Sequence, residues 1–194
     1  MTTTELLERF QVEAVSEIDP IPDGYELIDG ELREMPNVGA QSSWMVGRIF
    51  RHLDDWCAHT GGGLAITGEA GYRCFGRAAK VRKPDVSVIV CDPRTFVIPR
   101  EDFRVVPNLV VEVVSPNETV EGLNGKVVDF RRAGTALIWV IDPSTRSATI
   151  TRGDGTMAQL FEPAELSGED VLPGFTLPLA AILPRPIPGA EEQA

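Results

Sequence analysis

Residues 107–143, PNLVVEVVSPNETVEGLNGKVVDFRRAGTALIWVIDP, contain the strongest pattern of secondary structure in the chain. It starts with an almost wholly apolar run at 108–114, which predicts a strand covered on both faces. Apolar residues then recur at helical spacing over 118–133, and a second apolar run follows at 137–141. A strand, a helix and a strand in this order predict a right-handed βαβ unit with parallel strands. We therefore expect an α/β protein.

Further elements are predicted on both sides of this unit. Upstream, the pattern favours an opening helix at 2–15, a β-hairpin at 25–35 that turns at Asp29-Gly30, and a helix at 43–59. Additional strands are predicted at 64–67, 71–75, 85–91, 147–151 and 157–161. Together these elements predict a mixed central sheet flanked by helices, with an N-terminal helix and hairpin.

Length and composition describe an ordinary globular chain. The 194 residues contain no internal repeat or dividing linker, so we expect a single domain over residues 1–186 and a flexible tail at 187–194. Three cysteines without a CxxC pair argue against structural zinc and disulfides and favour a reducing cytoplasm. The absence of a secretory signal, a long apolar run and a GxxxxGK[ST] motif predicts a cytoplasmic protein without a membrane partner or an organic cofactor.

The net charge of −11 argues against a general nucleic-acid binder, because attraction to phosphates comes from Lys and Arg. A single basic cluster interrupts this acidic chain. It consists of Arg73, Arg77, Lys80, Arg82 and Lys83. The cluster is explained equally well as a solvated hairpin or as an edge that guides phosphates towards Asp85. The second explanation makes these five residues the candidate nucleic-acid-binding site.

Two acidic residues lie where folding alone would not place them. Asp85 begins one apolar strand, and Glu112 lies in the middle of another. Burial of a carboxylate is unfavourable unless a cation or hydrogen bonds compensate. Taken singly, Asp85 is better explained as a hydrogen-bonding residue at a strand start, and Glu112 as the partner of an arginine. If the two strands are neighbours, however, the acids can converge on a site whose oxygens suit Mg²⁺ or Mn²⁺.

Lys126 is one of only three lysines in the chain, and its spacing places it near the apolar side of the helix at 118–133. A lysine there can extend along its stem towards the strand ends. Taken alone, it is better explained as a solvated helix residue. Glu26 and Glu31 flank the hairpin turn and are expected at the surface, although one of them could reach the edge of a site.

Several short motifs follow one another in a defined order. They are YELIDGEL at 25–32, KPDV at 83–86, PNLVVEVVSP at 107–116, Lys126, Ala133-Gly134, WVIDP at 139–143, LPGF at 172–175 and LPL at 177–179. This combination resembles the Uma-type branch of the PD-(D/E)XK nuclease superfamily over nearly the whole chain. The resemblance implies a restriction-endonuclease-like core and Mg²⁺-dependent hydrolysis of phosphodiester bonds, with Mn²⁺ as an alternative ion.

The resemblance also implies roles for individual residues. Asp85 and Glu112 match the metal ligands, and the backbone carbonyl of Val113 is implied as a further ligand. Lys126 matches the catalytic lysine, which in this branch lies on the helix rather than two residues after the glutamate. The chain departs from the branch at Gly122, where an acidic residue is frequent. It also has Gln41, Ser42 and Ser43 where a histidine is frequent.

The sequence therefore predicts a metal-dependent endonuclease that acts on DNA. A cut across both strands requires two sites, so a two-fold homodimer is also expected. Two alternatives stay open: a non-catalytic module of the same fold that binds nucleic acid or proteins, and an interaction protein with no nucleic-acid role. Salt-dependent DNA binding would distinguish these alternatives from each other. Metal binding that is lost in Glu112→Ala would distinguish the enzyme from both.

Overall fold

The computed structural model describes residues 5, 14, 17–68, 70–76 and 79–185. Apart from residues 5 and 14, the predicted opening helix at 2–15 lies outside the described residues, as does the predicted tail at 187–194. Within the described ranges, no helix combines the length and the apolar character needed to cross a bilayer.

The described chain contains ten strands and three helices, and six of the strands form one central sheet. The strands are β1 (Tyr25–Ile28), β2 (Glu31–Glu34), β3 (Leu64–Thr67), β4 (Val86–Ile89), β5 (Leu109–Val113), β6 (Leu137–Asp142), β7 (Ser147–Arg152), β8 (Met157–Phe161), β9 (Glu165–Ser167) and β10 (Thr176–Pro178). The helices are α1 (Ala40–Thr60), α2 (Val120–Ala133) and α3 (Leu179–Ile182). The central sheet has the order β3-β4-β5-β6-β7-β8, and the pairs β1-β2 and β9-β10 form separate two-stranded sheets. This is the mixed α/β architecture that the sequence predicts.

The unit at 107–143 forms as predicted, with β5 and β6 paired in parallel and α2 between them. The helix begins where the Thr119 hydroxyl accepts a hydrogen bond from the Gly122 amide at 3.0 Å. It ends at Gly134, whose φ of 108° favours glycine. All residues of β5 are buried, as expected for a strand with covering layers on both faces.

The other pairings in the central sheet are antiparallel. β4 lies beside β5, with Val86 opposite Val111. When this register is continued by one residue, Asp85 lies opposite Glu112. The condition for convergence of the two acids, that their strands are neighbours, is therefore met.

Helices cover both faces of the sheet. On one face, α1 contributes Met45, Ile49 and Leu53 to the largest apolar cluster. On the other face, Phe130 of α2 belongs to a smaller cluster with Tyr72. Burial of each large apolar side chain contributes roughly 1.5–3 kcal/mol to folding. Because β5 lies between these two layers, an acid in the middle of this strand is removed from water on both sides.

The predicted strand at 71–75 is not formed. In this segment Tyr72 makes isolated bridges to Arg82 and Phe103. The Tyr72 ring stacks on Phe103 with the ring centroids 5.2 Å apart, and its hydroxyl shares a hydrogen bond with Ser87 Oγ at 2.7 Å. The apolar residues of this segment therefore anchor a loop on the sheet instead of adding a strand to it.

Candidate active site

A cleft of about 670 Å³ opens beside the adjoining ends of β4 and β5. Its walls come from the β1-β2 hairpin, the segment 35–38, the first turns of α1 and the start of α2. Asp85, Glu112 and Lys126 all line this cleft. Three predicted site residues from separate parts of the sequence thus share one cavity.

The backbone of the neighbouring strand holds Asp85 in place. Its Oδ2 accepts a hydrogen bond from the Val113 amide at 2.7 Å. The register of β4 and β5 would place Pro84 opposite Val113, but β4 starts only at Val86. The Asp85 carboxylate thus binds an amide that β4 leaves unpaired. Burial raises the pKa of Asp85, whereas the Val113 hydrogen bond and the charge of Lys126 act to lower it.

The backbone carbonyl of Val113 leaves β5 on the same side as the Val113 amide, because the two groups of one strand residue point in one direction. Since the amide donates to Asp85, the carbonyl also points to the β4 side of β5. Val113 lines the cleft there. The Val113 carbonyl therefore points in a direction that would allow it to bind a metal ion in the cleft, as the resemblance to the Uma-type nucleases implies.

Glu112 is the most deeply buried acid of the site, with 1% of its surface exposed. Its Oε2 accepts a hydrogen bond from Lys126 Nζ at 3.2 Å. Its buried Oε1 has no hydrogen-bond partner among the described residues. Burial raises the pKa of Glu112 well above its ordinary value, Lys126 opposes this increase, and the charges of Asp85 and Glu118 add to it. A buried oxygen without a donor is unfavourable and would be stabilised by a proton or a cation.

Asp85, Glu112, Glu118 and Glu26 form an acidic cluster, and Lys126 reaches into it from α2. Besides Glu112, its Nζ lies 3.7 Å from Glu118 Oε1 and 3.9 Å from Glu26 Oε1. Burial by itself lowers the pKa of Lys126, but the neighbouring carboxylates outweigh this effect and raise the pKa above its ordinary value. The ammonium group therefore stays charged and faces an excess of negative charge.

Glu118 is a site residue that the sequence analysis did not identify, and Glu26 is the hairpin acid that reaches the site. The prediction that Glu26 lies at the surface is wrong. It is 4% exposed, and its carboxylate accepts hydrogen bonds from Arg82 Nη1 at 2.9 Å and from the Lys83 amide at 2.8 Å. Glu31 is exposed, as expected. The strand that contains Glu26 has four residues, which is too short for its alternation to show which face is covered. An acid just before a helix, like Glu118, is common because its negative charge interacts favourably with the helix dipole.

The predicted basic edge is buried rather than exposed. Arg82 and Lys83 are 5% and 3% exposed, and the side chains of Arg73 and Lys80 are 10% and 12% exposed. Their partners are Asp102 for Arg73, Asp129 for Lys80, Glu26 and Asp129 for Arg82, and the carbonyls of Ile21 and Pro22 for Lys83. Arg77 lies outside the described residues. For the other four residues, the expectation of a solvated hairpin is wrong, because buried cations take internal acceptors. Arg82 and Lys83 line the cleft, and the phosphate-guiding role stays a prediction.

Two of these cations connect helix α2 to the β1-β2 hairpin. Asp129 lies one turn after Lys126 on α2 and is 2.7 Å from both Arg82 Nη2 and Lys80 Nζ. Arg82 continues the network to Glu26 in β1. The network fixes the position of α2 against the hairpin. It thereby holds the Lys126 stem over the acidic cluster.

The cleft offers oxygen donors of the types that a hard divalent cation takes. Asp85 and Glu112 offer carboxylate oxygens and Val113 a carbonyl oxygen, which are the donor types that Mg²⁺ and Mn²⁺ prefer. The unpartnered Oε1 of Glu112 adds an acceptor that the described side chains leave unsatisfied. No group of three or more His, Cys, Asp or Glu within the described ranges forms a complete metal cluster. A metal would therefore depend on a mixed set of side-chain, backbone and water oxygens.

We expect the stability of the metal-free protein to fall as the pH rises. The pKa of Glu112 is raised from an ordinary value of 4.5 by burial and by the facing charges of Asp85, Glu118 and Glu26, against the effect of Lys126. The folded chain therefore holds this proton more tightly than the unfolded chain does. The stability that this tighter proton binding contributes is fully present below about pH 4.5. It is lost as the pH rises through the higher pKa that Glu112 has in the folded chain.

Urea unfolding in a chelating buffer at about pH 5 and about pH 8 measures this effect. Glu112→Gln is the comparison, because the amide cannot titrate in this range. The wild-type protein should lose more free energy of unfolding between the two pH values than the variant loses. Equal losses would contradict a raised pKa at Glu112.

Comparison with known proteins relates this architecture to nucleases. The Uma2 family model, described as "Putative restriction endonuclease", matches residues 12–180. A crystal structure described as a "putative nuclease belonging to DUF820" from Anabaena variabilis ATCC 29413 is similar with a TM-score of 0.72 at 18% identity, over 84% of this chain and 92% of that chain. None of the curated proteins matches the chain. The structural similarity confirms the predicted nuclease-type fold.

Proposed function

Since this chain belongs to the Uma2 family of restriction-endonuclease-like proteins, we propose that its cleft hydrolyses DNA phosphodiester bonds with a divalent metal ion. The proposal rests on the contacts of Lys126 and Glu112. Lys126 faces the carboxylates of Glu112, Glu118 and Glu26 within 4 Å, and Glu112 keeps an oxygen without a donor in the described part of the chain.

The excess of carboxylates calls for a positive partner beyond the lysine. Arg82 lies near Glu26, but it also pairs with Asp129 and so adds little net positive charge. A proton would neutralise Glu112 alone. A divalent cation would neutralise Glu112 and Asp85 together, and it would stabilise both carboxylates in the ionised form at neutral pH.

The candidate ligands are the carboxylates of Asp85 and Glu112 and the carbonyl of Val113. Mg²⁺ or Mn²⁺ bound there would polarise a phosphate oxygen and lower the pKa of a bound water. The hydrogen bond from the Val113 amide fixes the Asp85 carboxylate before any ligand binds. The site thus needs little rearrangement to offer these oxygens.

Lys126 supplies a fixed positive charge beside the ligands. Its neighbours keep it protonated, and the network of Asp129 and Arg82 holds its helix in place. A phosphate that enters the cleft can accept a hydrogen bond from this ammonium group. Charge that develops on the phosphate oxygens is then stabilised by a donor that is already oriented. We assign Lys126 this role in the proposed reaction.

DNA as the substrate follows from the family and agrees with the need for a metal. The chain has a net charge of −11, and Arg73, Lys80 and Arg82 of the basic cluster form internal ion pairs. Long-range attraction of a polyanion is therefore weak. A cation at Asp85 and Glu112 would place positive charge at the point of reaction. We accordingly expect DNA to bind the metal-loaded protein better than the metal-free protein.

Nicking of supercoiled plasmid tests the proposal. The wild-type protein should convert the plasmid to open circles in Mn²⁺ or Mg²⁺ and should not do so in EDTA. Asp85→Asn should lower the rate by about a hundredfold or more, because a metal ligand loses its charge. Asparagine keeps an oxygen that can accept the Val113 hydrogen bond, so the fold should be retained. Asp92→Asn removes an exposed carboxylate seven residues away and should cleave like the wild type.

A second readout does not depend on activity. Mn²⁺ should raise the Tm of the wild-type protein but not that of Asp85→Asn, because only a folded metal site is stabilised by the ion. Equal cleavage by Asp85→Asn and the wild type would contradict the assigned site. Absence of cleavage and of the Tm increase in the wild type would favour the non-catalytic module that the sequence leaves open.

A further inference from the structure

Strand β8, Met-Ala-Gln-Leu-Phe at 157–161, forms an edge of the central sheet. Among the described residues it pairs with β7 alone, in a continuous register. The strand contains no charged residue and no proline. Charges, prolines and bulges are the usual features that prevent an edge strand from pairing with another chain. β8 lacks all three.

The hydrogen bonds at both ends of the β7-β8 hairpin show which backbone groups of β8 point outwards. The Arg152 amide donates to the Thr156 carbonyl at 3.0 Å, and the Glu162 amide donates to the Arg146 carbonyl at 3.2 Å. Hydrogen-bonded residues alternate along an antiparallel pair. The even-numbered residues of β8 therefore bond to β7. The odd-numbered residues direct their amides and carbonyls towards the open edge, where the Phe161 carbonyl already accepts a hydrogen bond from the Ala164 amide at 2.9 Å.

The same odd-numbered residues carry the exposed side chains. Met157 and Phe161 are 65% and 55% exposed, and Gln159 lies exposed between them. Ala158 and Leu160 pack against the main apolar cluster. Two large apolar side chains thus accompany a row of outward-pointing backbone groups.

We propose that β8 pairs with β8 of a second copy of this chain, antiparallel and about a two-fold axis at Gln159. In this register the two Gln159 residues exchange backbone hydrogen bonds. Met157 of each copy lies opposite Phe161 of the other, which allows sulfur–aromatic contacts. The same residues serve on both sides, as an isologous interface requires. Pairing would join the two central sheets into one.

Charge allows two copies to meet at this edge. With a net charge of −11, two copies repel each other over most approaches. The five residues of β8 form an uncharged strip on which this repulsion is smallest. The adjoining Glu162 already pairs with Arg146, its Oε2 lying 2.5 Å from the Arg146 Nε. Self-pairing therefore brings no unpaired carboxylate from residues 157–162 into the contact.

The molar mass of the full chain in solution, measured by sedimentation equilibrium, tests the proposal. The wild-type protein should dimerise. Gln159→Lys places like charges opposite each other at the axis and should raise the dissociation constant about fivefold or more. Lysine is accommodated on the exposed face without loss of the β7 hydrogen bonds. Thr176→Lys adds the same charge at an exposed position of β10 and should leave dimerisation unchanged.

Charge reversal provides a second measurement. A mixture of Gln159→Lys and Gln159→Glu should form mixed dimers that are tighter than the dimers of either variant alone. A wild-type protein that is monomeric at about 100 µM would overturn the proposal, as would a dimer that is insensitive to lysine at position 159. These measurements do not involve cleavage, so their failure would leave the proposed nuclease function unaffected.

Discussion

Replacing Lys126 by methionine is expected to lower the free energy of unfolding by about 3 kcal/mol and to reduce cleavage about a hundredfold or more. The ammonium group lies within 4 Å of Glu112, Glu118 and Glu26. Without it, buried carboxylates lose their nearest positive charge. Methionine retains much of the apolar stem, so the loss measures the charge rather than the packing.

Urea unfolding and plasmid nicking measure the two effects of Lys126→Met. Arg132→Met is the matched control, because it removes an exposed cation from the same helix. It should change stability by at most about 1 kcal/mol and leave cleavage intact. The deficit of Lys126→Met should shrink at acidic pH, where protonated acids need no positive partner. Unchanged stability at neutral pH would contradict the role of Lys126 in neutralising the cluster.

Glu112→Gln is expected to separate activity from stability. Cleavage should fall about a hundredfold or more, because the proposed metal site loses a charged ligand. The metal-free variant should be as stable as the wild type or more stable by about 1 kcal/mol, because a neutral amide replaces a buried carboxylate. Lys126 keeps Glu118 and Glu26 as partners. Nicking assays in Mn²⁺ and urea unfolding in EDTA give the two values.

Glu121→Gln controls for the loss of a carboxylate near the cleft. Glu121 lies exposed in the first turn of α2, and its replacement should alter neither cleavage nor stability appreciably. A large loss of stability in Glu112→Gln would support the alternative that Glu112 is a structural partner of a cation. Full activity in Glu112→Gln would contradict its assignment as a metal ligand.

The fold was largely predictable because it depends on patterns along the chain. The apolar runs at 108–114 and 137–141 and the helical repeat between them determine a βαβ unit with few alternatives. The prediction of a strand at 71–75 was wrong because Tyr72 and its neighbours have the apolar pattern of a strand but pack as a loop. A short apolar run shows that side chains are buried. It does not show whether its backbone pairs with a sheet.

The candidate site was predictable only in part. Asp85 and Glu112 stand out because a carboxylate in an apolar strand conflicts with its surroundings, and such a conflict is visible from sequence neighbours. Glu118 shows no such conflict, because it lies in a polar segment just before a helix start. Glu26 lies in a four-residue strand of a hairpin, where one polar residue is ordinary. Their membership of the site follows from the position of Lys126, to which both come close.

The order and type of the main elements follow from patterns along the chain, and the same patterns indicate two acids and a lysine as candidates for chemistry. Which charges are neutralised depends on contacts between distant parts of the chain. The basic cluster is a set of close neighbours in the sequence, yet Arg82 pairs with Glu26 and Asp129, 56 and 47 residues away. Ion pairing depends on distance in space and on burial, so local patterns could not distinguish a solvent-facing basic edge from cations that hold the acidic site together.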